Sequence, residues 1–345
     1  MEYQFETELE QKLEQKSEPE PLLQKENFRY TVKPLNPKYA ILWDLYKRQQ
    51  ACYWTASEID FSKDYYDFIT LTEEEQIPIK NILAFFASSD GIVVSNLKER
   101  FQREIMVPEA QIAYGFQLMM ENIHGEIYSD MLNNIIKDKE ERDKMFDAIN
   151  TIPAVKKMAD WSIKWISSDA PLSQRIIAFA IVEGIFFSGA FATIFWLKKQ
   201  RSNGKLFMNG LIKSNKFIAR DEGLHVNFAC ILYSYIINRL NEKEVVEMFV
   251  EAVSICQNFT NDSMKCHLIG MNNTLMNQYI EHVADRLIVY LGYNKIYNVS
   301  NPFDFMESIG LLSKDNFFET RPDDYQKSNN GDNNASWKFE IVEDF

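Results

Sequence analysis

Glycine and proline are scarce, at 12 and 10 of 345 residues. Tight turns are built from these residues, so a turn-rich all-β design is disfavoured. Cysteine is sparse too. Cys52, Cys230, Cys256 and Cys266 include no C-x-x-C pair. With a polar, acidic start in place of a secretory leader, they predict free thiols in a cytoplasmic protein. Positive charge is short: 37 Lys and Arg against 50 Asp and Glu leave a net charge of −13. Such a chain repels phosphate backbones, which argues against nucleic-acid binding. No G-x-x-x-x-G-K-[ST] and no G-x-G-x-x-G occurs, so no directly bound nucleotide is expected. Alternating strand patterns and solenoid repeats are missing as well.

What is present is helical. The chain is 46% hydrophobic, enough for a large core. Helix-period segments follow one another from about residue 38, over roughly 73–105, 109–137, 151–167, 172–200, 210–240, 243–258 and 262–291. Residues 1–27, rich in Glu, Gln and Lys, read as a flexible N-terminal arm, and 28–320 as one helical domain. Residues 321–345 read as a flexible tail. That tail contains the polar run 328–334 and ends in apolar anchors among acids, Trp337 to Phe345. Ile176 to Leu197 is long and apolar enough to span a bilayer. Glu183 near its middle would cost roughly 2.5–3.5 kcal/mol there. We therefore read a central helix buried in a soluble bundle, with no membrane partner; the alternative is a non-enzymatic scaffold anchored by this segment.

Two Glu-x-x-His units carry the chemistry: Glu121–His124 in MENIHGEIYS and Glu222–His225 in RDEGLH. On a helix, positions i and i+3 share a face, so each unit aims one oxygen and one nitrogen ligand the same way. Two such units plus one carboxylate from each of two further helices make a di-metal carboxylate bundle. Asp90, after LAFFASS, and Glu183 are acids isolated in apolar helices, where an unpaired charge is costly. Four carboxylates balance two divalent cations, and an oxygen–imidazole set suits iron or manganese. A glycine follows each of Asp90, His124, Glu183 and Glu222, although glycine inside a helix costs about 0.8–1 kcal/mol. Local helix distortion around a cluster would explain the four. Tyr128 lies within about 40° of both Glu121 and His124 on the helical wheel, so a phenol projects toward the proposed metals. His267 and His282 read as surface or structural residues.

The segments LAFFASSDGIVVSNL, MENIHGEIYS, AIVEGIFFSGAFATIFWLKK, FIARDEGLH and NPFDFMESI resemble the small subunit of eukaryotic-type class I ribonucleotide reductase. The resemblance runs from about Pro34 to Tyr325. It implies an all-α, ferritin-like bundle whose metal ligands are Asp90, Glu121, His124, Glu183, Glu222 and His225. It implies two iron ions per chain, with manganese as the alternative, and O2 as the activating oxidant. Tyr128 corresponds to the tyrosine that carries the stable radical, and Phe187, Phe191 and Ile218 to its apolar pocket. Trp54, Asp221 and Tyr325 correspond to residues that pass the radical toward the large subunit. Asp221 corresponds to the acid that hydrogen-bonds a ligating histidine, His124. A homodimer is implied, with residues 337–345 docking on the large, catalytic subunit. The implied activity is ribonucleoside-diphosphate reduction for DNA precursor synthesis. Gly125 departs from the serine expected in animal relatives, and the tail is richer in Asn. The competing reading is another ferritin-like protein, a di-iron oxidase or an iron store. Neither needs Trp54, the placement of Tyr128 or the Phe-ended tail.

Overall fold

A computed structural model describes residues 19–166, 169–201, 206–263, 265–269 and 271–306. Every regular element among them is helical. The long helices are α1 (Ala40–Ala51), α2 (Glu73–Asn96), α3 (Pro108–Ile135), α4 (Pro153–Ile166) and α5 (Leu172–Ile181). They continue as α6 (Ser188–Arg201), α7 (Asn209–Ser234), α8 (Glu242–Asn258) and α9 (Asn273–Tyr290). The sequence sets several starts. The Thr72 hydroxyl accepts from the Glu75 amide, and the Glu75 carboxylate accepts from the Thr72 amide, closing a capping box at α2. Asn241 and Glu244 repeat the motif at α8. Pro108 opens α3, where its missing N–H leaves no bond unmade.

The helix read over 172–200 is interrupted. Between α5 and α6 the chain takes one wide π turn, Val182–Phe186, in a segment buried throughout. The helix read over 262–291 begins later, at Asn273. Lys265 adopts a left-handed φ of 49°, which ends the helical run before it. The Asn272 side chain then accepts from the amides of Thr274 and Leu275 and restarts it. The expected arm also ends earlier than residue 27. Leu22 is fully buried, its carbonyl accepts from the Met106 amide at 2.8 Å, and the Glu20 carboxylate accepts from the amides of Ile237 and Asn238. An apolar anchor and a carboxylate cap fasten residues that looked merely polar.

The start of α7 is clamped from a distance. Asp64 is buried and accepts from the amides of Gly210 and Leu211 at 3.0 and 2.6 Å. Asp67 accepts from Met208. A Cβ on Gly210 would stand 2.6 Å from a Phe61 ring carbon and 2.8 Å from the Asp60 carbonyl, so only glycine fits. The clamp sets the height of α7 in the bundle. Helix α7 packs against α1, α3, α5 and α6. Two described helical stretches are long and apolar enough to cross a membrane, Glu73–Glu104 and Leu172–Arg201. The most apolar window of the second lies wholly inside the bundle, so helices cover it on all sides.

Candidate metal centre

Helix α3 brings Glu121 and His124, α7 brings Glu222 and His225, and the π turn brings Glu183. All five are buried. Ligand atoms from Glu121, Glu183, Glu222 and His225 lie within 4.8 Å of one another. The His225 Nδ1 stands 3.0 Å from Glu121, 3.2 Å from Glu222 and 3.4 Å from Glu183. The His124 Nδ1 stands 3.0 Å from Glu121 and 3.2 Å from Glu222. Both imidazoles therefore turn the same nitrogen into one cage of carboxylates. Asp90 lies on α2, but its side chain is outside the described set.

The electrostatics mark this cage as built for cations. Burial pushes the Glu183 carboxyl well above the ordinary range, and the like charges of Glu222 and Glu121 add to it. Burial pulls the two histidines down, yet the surrounding carboxylates outweigh it and hold both well above their usual value. Glu222 is desolvated too, but hydrogen bonds from Glu183, His124 and His225 hold its carboxyl below the ordinary range. Among the described residues neither oxygen of Glu183 meets a donor in full hydrogen-bond geometry, His225 Nδ1 standing 3.4 Å away. A buried carboxylate so poorly satisfied costs several kcal/mol by order of magnitude. Divalent cations bound among these oxygens and the two Nδ1 atoms would remove that cost, so the donor set fits a pair of metal ions.

The ribonucleotide reductase small-chain family model matches residues 32–302. The chain belongs to this family. It is 52% identical over 311 residues to the ribonucleoside-diphosphate reductase small chain of Neurospora crassa, covering 90% of this chain and 74% of that protein. It is 50% identical to subunit M2 of the Homo sapiens reductase, covering 90% and 78%. Among solved structures, the Rnr4 homodimer of Saccharomyces cerevisiae superposes with a TM-score of 0.76 at 38% identity, covering 88% of this chain and 92% of that one. The bundle is thus the ferritin-like fold of reductase small subunits.

In this small subunit, two different surroundings flank the cage. On one side the Tyr128 ring stacks on Phe86, with centroids 4.8 Å apart and planes 19° from parallel. Phe86 in turn lies 5.9 Å from Phe187 and 5.5 Å from Phe191. Ile218 is fully buried on α7, four residues before Glu222. Beside His124 the Trp54 indole Nε1–H donates to Asp221 Oδ2 at 2.6 Å. The same oxygen stands 3.3 Å from His124 Nε2. Trp54 stacks against His124 with centroids 6.0 Å apart. Arg220 donates to the other oxygen of Asp221 and to the Cys52 carbonyl.

Phe86 and Arg220 were not singled out in the sequence. Phe86 is four residues before Asp90 and so on its helical face, a signal that the uniform LAFFASS run hides. Arg220 merely adjoins Asp221, and its contact with the Cys52 carbonyl crosses the fold. His282 donates to or accepts from no metal-site residue; its Nδ1 meets the Val299 carbonyl at 3.2 Å, a structural role. Tyr325 and residues 337–345 lie outside the described residues.

Proposed function

We propose that this chain holds two iron ions at Asp90, Glu121, His124, Glu183, Glu222 and His225, stores an oxidising equivalent on Tyr128, and delivers it to a separate large subunit that reduces ribonucleoside diphosphates. Iron bound there supplies the reduction of O2 that gives the centre its oxidising power. The residues do the rest. Glu183, whose two oxygens are poorly satisfied among the described residues, is a ready ligand. Asp221 Oδ2 takes the Nε2–H of His124, which leaves the Nδ1 lone pair for metal. Tyr128 would hold the stored equivalent as a neutral phenoxyl radical, and the ring wall of Phe86, Phe187 and Phe191 would keep water and reductants away from it. Trp54 and Asp221 lead away from His124 through polar contacts, by which an oxidising equivalent can leave.

The observation that carries this reading is the stacking of Tyr128 inside an aromatic wall, one helical face along from Glu121 and His124. An iron store or a simple oxidase has no use for a shielded phenol. The deciding experiment is an optical and electron paramagnetic resonance spectrum of the iron-reconstituted chain, wild type against Tyr128→Phe. An organic radical present only in the wild type supports the reading. The same radical in the variant overturns it.

The assembly is a homodimer in this proposal, as it is in the yeast structure. Tyr325 and the apolar residues of 337–345 are the contact with the large subunit, by the tether logic of apolar anchors behind a polar run. A peptide of residues 337–345 should inhibit turnover, and its deletion should abolish turnover while leaving iron and radical in place. The complex works in the cytoplasm, with its most apolar helical stretch, Leu172–Arg201, inside the bundle.

A further inference from the structure

The π turn that carries Glu183 is gripped from three helices. From α7 and α9, Val226 and Leu287 close on Gly184 so tightly that a Cβ there would meet them at 3.4 and 3.3 Å. From α8, the Cys256 thiol reaches the Ile185 carbonyl at 3.4 Å. The Ser188 hydroxyl donates to that same carbonyl at 2.7 Å. A wide turn pulls its carbonyls out of the regular i to i+4 ladder, and side-chain donors then decide where they point. Cys256 is fully buried, and burial pins its sulfur against the turn.

We propose that Cys256 is a positioning residue, whose thiol fixes the Ile185 carbonyl and so sets where the π turn places the Glu183 carboxylate. Among the described residues the Glu183 oxygens meet no donor in full hydrogen-bond geometry, His225 Nδ1 standing 3.4 Å away, so the backbone of the turn is left to set their position. The donor sits on α8, a helix that contributes no metal ligand. The cage thus takes its shape from a fifth helical element as well as from the ones that ligate. This inference rests on the metal-centre reading for its consequence, while the clamp itself exists in the metal-free chain.

The test compares Cys256→Val, which keeps bulk and loses the donor, with Cys256→Ser, which keeps a donor. The first readout is hydrogen exchange of the apoprotein. In Cys256→Val the amides of residues 183–187 should exchange about two- to fivefold faster, the range a weak hydrogen bond supplies, with the remainder of α8 unchanged. The second is Co(II) titration followed by its visible absorption. Cys256→Val should bind about two- to fivefold more weakly with a shifted band, and Cys256→Ser should return toward wild type on both readouts. Unchanged exchange at 183–187 overturns the proposal, and so does faster exchange spread along α8, which marks ordinary packing. A Co(II) band and affinity equal to wild type in Cys256→Val overturn it as well. If the wild type itself binds no Co(II), the metal-centre reading fails, and the exchange result still judges the clamp.

Discussion

The two flanks of the cage are built from opposite materials. The Tyr128 flank shows an apolar wall of rings, Phe86 stacked on Tyr128 and Phe187 and Phe191 behind it. The Trp54 flank is a chain of polar contacts, indole to carboxylate to imidazole, with Arg220 tying the carboxylate to the Cys52 carbonyl. One flank suits keeping an oxidising equivalent; the other suits moving it. A bundle that only stored metal would need neither, so the asymmetry itself is what separates this site from a bare di-metal cage.

The largest break removes what both flanks share. Glu183→Ala with Glu222→Ala should drop bound iron from two ions per chain to near zero by metal analysis, and the radical with it. Next comes a break on the dry flank only. Tyr128→Phe removes one hydroxyl, so iron and fold should remain while the radical signal and turnover vanish. A break on the polar flank should cut turnover while leaving the radical in place. Asp221→Asn removes the negative charge and leaves one acceptor oxygen where Trp54, His124 and Arg220 now share two. Turnover with the large subunit should fall by about 10- to 100-fold, as for other supporting carboxylates of metal-bound histidines. Trp54→Phe should also cut turnover while the radical still forms, which electron paramagnetic resonance can check. Equal radical loss in Tyr128→Phe and Trp54→Phe would erase the contrast.

The smallest effect acts on both flanks alike, through the clamp on α7. Burial pushes the Asp64 carboxyl up to about 6 from an ordinary 3.8, against the pull of the Leu211 and Gly210 amides. The folded chain therefore holds this proton more tightly than the unfolded one. The group's stabilising share is complete below about pH 3.8 and is lost as pH rises through about 6. Asp64→Asn removes that titration. In thermal melts of the apoprotein, wild-type stability relative to Asp64→Asn should decline between about pH 4 and pH 6.

Much of the site was legible because it is local. Glu121–His124 and Glu222–His225 each sit on one helix, where a spacing of three is a shared face whatever the rest of the fold does. Glu183 stood out because an acid alone in an apolar run needs a reason. What was not legible is non-local or silent in the pattern. A π turn adds one residue to a helix, and in a run where nearly every residue is apolar the extra residue leaves no mark. The glycine beside Glu183 was the only hint of it. The pairing of Asp64 with Gly210, and of Arg220 with the Cys52 carbonyl, joins residues far apart in the chain, which periodicity cannot reach. Leu22 was misread for the opposite reason: one apolar residue in a polar stretch weighs little in composition and a great deal once buried.

The central stretch from Leu172 to Arg201 has a consequence for biosynthesis. Three of its covering helices, α7, α8 and α9, are encoded downstream, while α2 and α4, which also pack on it, are made first. At about 5–20 residues per second, synthesis of residues 202–290 takes roughly 5–20 s, during which a segment as apolar as a bilayer span has emerged with only part of its cover. Truncations within α7, α8 or α9 should then yield aggregates rather than soluble, inactive fragments.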